Sequence, residues 1–76
     1  MKYLTNMERR GLEKGRQEGR LQALREVILD VLETRFAMVP YELRERILAI
    51  AEEAKLKRLH RQAALAESLQ VFQSQL

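Results

Sequence analysis

Glycine recurs at every fourth position near the start of this 76-residue chain, at Gly11, Gly15 and Gly19. The residues between these glycines are mostly strong helix formers, so the segment is expected to be helical. Glycine inside a helix costs about 1 kcal/mol relative to alanine, and three glycines therefore cost about 3 kcal/mol. Because a spacing of four keeps residues on one side of a helix, the pattern predicts a face at which something packs very closely.

Composition and periodicity predict an all-α fold, with one long N-terminal helix and two or three shorter helices folded back on it. The chain is rich in Leu, Ala, Glu, Arg and Gln and contains few aromatic residues, which is typical of helical proteins. A chain of this length forms one small domain, residues 1–76, and so small a core favours oligomerisation. Cysteine is absent, which excludes disulfides and thiolate metal sites.

Capping and breaking signals predict the bounds of the first helix. Thr5 and Glu8 fit a capping box, so a helix is expected to begin near Asn6. Apolar residues at helical spacing then carry it to about Arg35. These residues are Leu21, Leu24, Val27, Ile28, Val31 and Leu32. Pro40 ends any continuation and suits the first turn of the next helix.

The second half of the chain contains two apolar stripes with different phases. The first stripe, of a second helix, comprises Leu43, Ile47, Ile50 and Ala54. The next stripe comprises Leu56, Leu59, Ala63 and Ala66. The change of phase predicts either a break near residues 53–55 or one long helix that turns its apolar face, and we favour the break. Ser68 is expected to cap a last helix that carries Leu69, Phe72 and Leu76.

At about 100° per residue, the first helix is expected to have two contact faces on roughly opposite sides. The glycine face comprises Leu4, Met7, Gly11, Gly15 and Gly19. The other face comprises Leu21, Leu24, Ile28, Val31 and Leu32. We expect the second face to pack on the chain's own later helices, and the glycine face to meet a second copy in a homo-oligomer, most simply a dimer. The alternative is a frayed linker helix that the glycines weaken.

Charge is distributed unevenly, with a net +4 over residues 1–25, −4 over residues 26–54 and +3 over residues 55–76. Such a chain can neutralise itself by folding or by pairing head to tail with a copy, or it can present solvated helix faces. Candidate phosphate contacts are Arg9, Arg16, Arg20, Lys57, Arg58 and Arg61. Nucleic-acid binding stays the weaker alternative, because Glu13 interrupts the first basic group and no aromatic platform accompanies either group.

No catalytic residue, metal site or cofactor is expected. His60 is the only histidine and Asp30 the only aspartate, so a metal site would need several converging glutamates. Glu53 and Lys55 form an E-x-K triplet, but it lies in a helical pattern and indicates helix surface. The chain has no signal-peptide pattern and no apolar run long enough for a membrane span, so we expect a cytoplasmic protein.

Several short motifs together resemble a known bacterial family. They are the YLTNMERRG segment at residues 3–11, the glycine repeat, the RF and VP pairs at residues 35–36 and 39–40, Ile47, and the AESLQVF ending at residues 66–72. This pattern resembles the C-terminal helical region of transposase-like, recombination-promoting nucleases of the PD-(D/E)XK type. The chain departs from the family at Ala37, where glycine is usual, and alanine disfavours a left-handed helix cap there.

The resemblance implies a non-catalytic tail. In this family the nuclease core, with its catalytic Asp and (D/E)-x-K motif, precedes the helical region, and Glu53 and Lys55 do not occupy that motif's place. The resemblance therefore predicts a helical oligomerisation or regulatory module. An alternative is an antitoxin-like short regulator that binds a full-length nuclease paralogue in a mixed oligomer.

Overall fold

The computed structural model describes residues 6–76, with side chains from Leu12 onward. This part of the chain is all-α and contains no strand. Its helices are α1 (Asn6–Phe36), α2 (Tyr41–Leu48), α3 (Glu53–Leu65) and α4 (Leu69–Ser74). The predicted order of one long helix followed by shorter helices that pack on it is confirmed. Thr5 and the side chain of Glu8, the predicted capping pair, lie outside the described residues.

The core forms where the second half of α1 packs against α3, and α2 packs beside them on α1. Its buried apolar residues are Leu21, Ile28, Leu29, Leu32, Leu43, Ile47, Leu56, Leu59, Ala63, Ala66 and Phe72. All four residues of the stripe predicted for the third helix are therefore buried. Burying a Leu, Ile or Phe side chain contributes about 1.5–3 kcal/mol, so these contacts provide most of the stabilisation.

The buried face of α1 is wider than predicted, because it also includes Arg25 and Leu29. Leu29 follows Gly11 by 18 residues, which is five turns at about 3.6 residues per turn, so both lie on one line along the helix. The core face thus extends round α1 to the line of Gly11. The buried face is therefore wider than predicted, whereas Gly15 and Gly19, the described glycines of the other face, remain exposed outside it.

A break separates α2 from α3, as predicted, but it comes earlier than residues 53–55. The last turn of α2 tightens, with the Ile50 N–H donating to the Ile47 carbonyl at 3.1 Å. The Ile50 carbonyl accepts a hydrogen bond from Arg25 Nε at 2.9 Å. This side-chain bond replaces the helical N–H donor that the carbonyl would have if the helix continued. Ala54 lies exposed in α3 as a result, and its predicted place in the stripe of the second helix is wrong.

Two arginines of α1 bind backbone carbonyls of the neighbouring segments. Arg25 is only 9% exposed, which follows from its contact with the connector between α2 and α3. Arg35 Nη1 donates to the Ala63 carbonyl at 2.7 Å, in the last turn of α3, where carbonyls lack helical partners. Both contacts join parts of the chain that are distant in sequence, and neither was predicted.

Two local features define the start of α4 and the end of α1. Ser68 caps α4 as predicted, with the Val71 N–H donating to Ser68 Oγ at 3.1 Å. Ala37 follows α1 in the left-handed region, with φ 67°, and its N–H donates to the Glu33 carbonyl at 2.9 Å. The left-handed cap that alanine was expected to disfavour therefore forms, and it reverses the chain towards α2. Alanine has a conformational cost in this region of φ that glycine does not have.

Replacing Ala37 with glycine is expected to stabilise the fold. A left-handed conformation costs an alanine about 1–2 kcal/mol, and part of this gain is offset by the greater freedom of glycine in the unfolded chain. We expect Ala37→Gly to raise the free energy of unfolding by about 1 kcal/mol, measured by urea denaturation.

Ala64→Gly is the matched control, because Ala64 is exposed within the regular helix α3. Because Ala64 lies in the last turn of α3, that substitution is expected to lower the free energy of unfolding by up to about 1 kcal/mol, the cost of glycine in a helix interior. Equal destabilisation by both glycines would show that residue 37 is not left-handed in solution.

Candidate functional site

The first half of α1 extends beyond its packing partners. Every residue from 12 to 20 is exposed, and the buried face begins at Leu21. At 1.5 Å per residue, a helix as long as α1 spans about 46 Å, and the described part of the chain measures 53 × 20 × 19 Å. The other described helices therefore leave this half of α1 uncovered.

The described glycines are not packed against the chain itself. A Cβ atom added at Gly15 or at Gly19 would meet no heavy atom within 4 Å. Neither glycine has a positive φ, so the backbone conformation at these positions does not require glycine. Leu4 lies outside the described residues, as do the surroundings of Met7 and Gly11.

The line of glycines continues towards the core half of α1 as a row of exposed residues at every fourth position. We call Gly15, Gly19, Ala23 and Val27 the small-residue row; all four are exposed. Leu12, also exposed, is a surface neighbour of Gly15 at a spacing of three. Sequence reasoning missed Ala23 and Val27, although the same spacing of four could have found them.

The structure brings the two predicted basic groups together at a single glutamate. Arg20 Nη1 lies 3.6 Å from Glu53 Oε2, and Lys57 Nζ lies 3.3 Å from Glu53 Oε1. The carboxylate thus lies between the two cations and reduces the positive field that phosphate would need. Such exposed pairs contribute at most about 1 kcal/mol to stability.

The other candidate phosphate contacts are dispersed. Arg16, Arg58 and Arg61 are exposed, Arg58 and Arg61 on the side of α3 that faces away from α1. The side chain of Arg9 lies outside the described residues. The candidate phosphate contacts therefore do not form one continuous basic surface over the part of the chain that is described.

The remaining titratable residues with described side chains form no recognisable chemical site. His60 is half-buried in α3, and Glu53 of the E-x-K triplet pairs with Arg20 and Lys57. Among the described residues, no three His, Asp or Glu side chains come together in a way that would hold a metal ion. None of the described helices combines the length and apolarity needed to cross a bilayer.

Comparison with known proteins found no matching family model, no matching curated protein and no matching solved structure. The relation to the tail of the PD-(D/E)XK nucleases stays a prediction based on the short motifs at residues 3–11, 35–40 and 66–72. The geometry of α1 therefore provides the main basis for a functional proposal.

Replacing Gly15 or Gly19 with alanine is expected to strengthen the exposed half of α1 in the isolated chain. Each alanine enters open space and favours the helix by about 1 kcal/mol. The far-UV circular dichroism at 222 nm should therefore become more negative at protein concentrations low enough to keep the chain monomeric. A loss of helicity under those conditions would mean that the glycines are packed within one chain.

Proposed function

We propose that this chain is a non-catalytic helical interaction module that self-associates through the small-residue row of α1. The observation that supports this function is the open space around Gly15 and Gly19 on a regular, exposed helix. An exposed helix gains nothing from glycine by itself, whereas a helix that another backbone approaches closely does.

A missing Cβ weakens a helix but permits a partner helix to approach its backbone more closely. Gly15 and Gly19 together weaken α1 by about 2 kcal/mol relative to alanine. Contact between helix backbones can offset that cost, because each absent Cβ lets the partner helix come closer and gain van der Waals contacts. The exposed Leu12 and Val27 lie towards the two ends of the row and add apolar area to such a contact.

The spacing of the row also indicates a crossing geometry. Residues four apart form ridges and grooves inclined to the helix axis, and packing two such rows together gives a crossing angle of about −50°. Close crossings through small residues have a similar, right-handed geometry. Two copies that meet at Gly15 and Gly19 would therefore cross near this point and diverge on either side of it.

A second partner would use the same row. If the resemblance to the nuclease family is correct, a full-length paralogue would carry an equivalent helix, and this chain would bind it in a mixed oligomer as an antitoxin-like regulator. Nucleic-acid binding is less well supported, because Glu53 lies between Arg20 and Lys57.

Gly15→Leu is expected to weaken association through the row. The leucine fills the space that a partner backbone needs, so the association constant should fall by at least about tenfold. Sedimentation equilibrium of the purified chain measures the change. Gln17→Leu is the matched control, because Gln17 is exposed on the other side of the same segment of α1.

A chain that stays monomeric at every accessible concentration, or an association unaffected by Gly15→Leu, would contradict self-association through the row. Co-purification of the monomeric chain with a nuclease paralogue, lost in Gly15→Leu, would instead assign the row to the mixed oligomer.

A further inference from the structure

A second exposed apolar region lies at the opposite end of the molecule, where α1 finishes. Its members are Met38, Tyr41, Leu65 and Val71, of which Tyr41 is 74% and Leu65 79% exposed. The hydrogen bond from Arg35 to Ala63 brings the ends of α1 and α3 together there. Met38 and Pro40 line a hollow with residues 67–70, so the start of α2 is also at this end.

One part of this end is an apolar groove with a basic rim. The groove, of about 270 Å³, lies between α3 and α4, with Leu65 and Val71 in its apolar wall and Arg58 and Arg61 at its edge. Neither arginine forms an ion pair with another residue of the described part of the chain. The rim therefore carries positive charge that an acidic partner would neutralise.

Gln62, which lines the groove, has a side-chain acceptor without a donor. Gln62 Nε2 donates to Gln75 Oε1 at 3.2 Å, whereas Gln62 Oε1 is buried and has no hydrogen-bond partner among the described residues. An unsatisfied buried acceptor costs about 1–3 kcal/mol. A partner that places a hydroxyl or N–H in the groove would recover this free energy.

The outward face of α2 has the complementary chemistry. Tyr41, Glu42 and Glu45 are exposed on the side of α2 that points away from the buried Leu43 and Ile47. Neither glutamate forms an ion pair within the described residues. This face thus combines an aromatic ring, a phenol hydroxyl and two carboxylates within two turns of helix.

We propose that the groove between α3 and α4 binds the outward face of α2 from a second copy of this chain, reciprocally about a two-fold axis. Tyr41 of one copy packs on Leu65 and Val71 of the other and donates its hydroxyl to Gln62 Oε1. Glu42 and Glu45 then meet Arg58 and Arg61.

Each copy supplies both halves of the contact, an arrangement that the alternation of acidic and basic segments along the chain favours. Both surfaces also carry charges of the opposite sign. On α2 these are Arg46 and Arg44, of which Arg44 is neutralised by its ion pair with Glu33. Next to the groove it is Glu67, which follows the lining residue Ala66. Each surface nevertheless keeps a net charge, acidic for α2 and basic for the groove. The contact goes beyond the proposed function, because it lies at the end of α1 remote from Gly15 and Gly19.

Charge reversal tests this contact. Glu45→Arg and Arg61→Glu each place like charges together and should weaken self-association by about tenfold in sedimentation equilibrium. An equimolar mixture of the two variants should associate more tightly than either alone, because the arginine introduced into one chain then meets the glutamate introduced into the other. Glu13→Arg is the control, since it makes the same change of charge at an exposed position on the first half of α1.

Tyr41→Phe provides an independent measurement, because it removes only the hydroxyl that would satisfy Gln62 Oε1. We expect about a fivefold loss of affinity with unchanged circular dichroism. Self-association that neither reversal weakens, a mixture no tighter than its components, or a wild-type chain that is always monomeric would overturn the proposal.

The two contacts are separable in one background. In a Gly15→Leu chain, association through the groove should persist and should still respond to Glu45→Arg. Complete loss of association in Gly15→Leu would assign all self-association to the small-residue row and would overturn the contact at the groove.

Discussion

The packing of the second half of α1 on α3 is the contact on which the rest of the structure depends. Ile28 and Leu32 of α1, and Leu56 and Leu59 of α3, have almost no exposed surface. The helices α2 and α4, of 8 and 6 residues, are too short to be stable alone in water. They are held because residues such as Ile47 and Phe72 add to the core that α1 and α3 begin.

Hydrogen bonds from two arginines of α1 stabilise the segments at which the chain leaves α2 and α3. The C-terminal end of each helix leaves carbonyl groups without helical partners, and a buried carbonyl without a donor is costly. Arg25 and Arg35 reach from α1 to the carbonyls of Ile50 and Ala63, one at the break between α2 and α3 and one at the end of α3. The guanidinium groups thus stabilise the path of the chain where apolar packing alone would not specify it.

Local rules account for the features that could be predicted from sequence. The long first helix, the Ser68 cap and the stripe at residues 56–66 each depend on spacing or on a neighbouring side chain. The bond from Arg25 to Ile50, the burial of Leu29 and the left-handed Ala37 depend on tertiary contacts, which periodicity does not report. For the candidate site, the glycine repeat was visible in the sequence, whereas exposure of Tyr41 and Leu65 at one end of the fold was not.

The continuity of α1 has a mechanical consequence. Gly15, Gly19 and the buried face that begins at Leu21 lie on one uninterrupted helix, Asn6–Phe36, so the number of residues between the glycines and that face sets the angle between them around the helix axis. One residue inserted between Gly19 and Leu21 would rotate the two glycines by about 100° around the helix axis relative to the buried face. It would also shift them by about 1.5 Å along the axis. An insertion of seven residues would restore the direction to within about 20°. The length of this segment can therefore change without misaligning the two surfaces only by close to a whole number of helical turns, of which seven residues, about two turns, are one example.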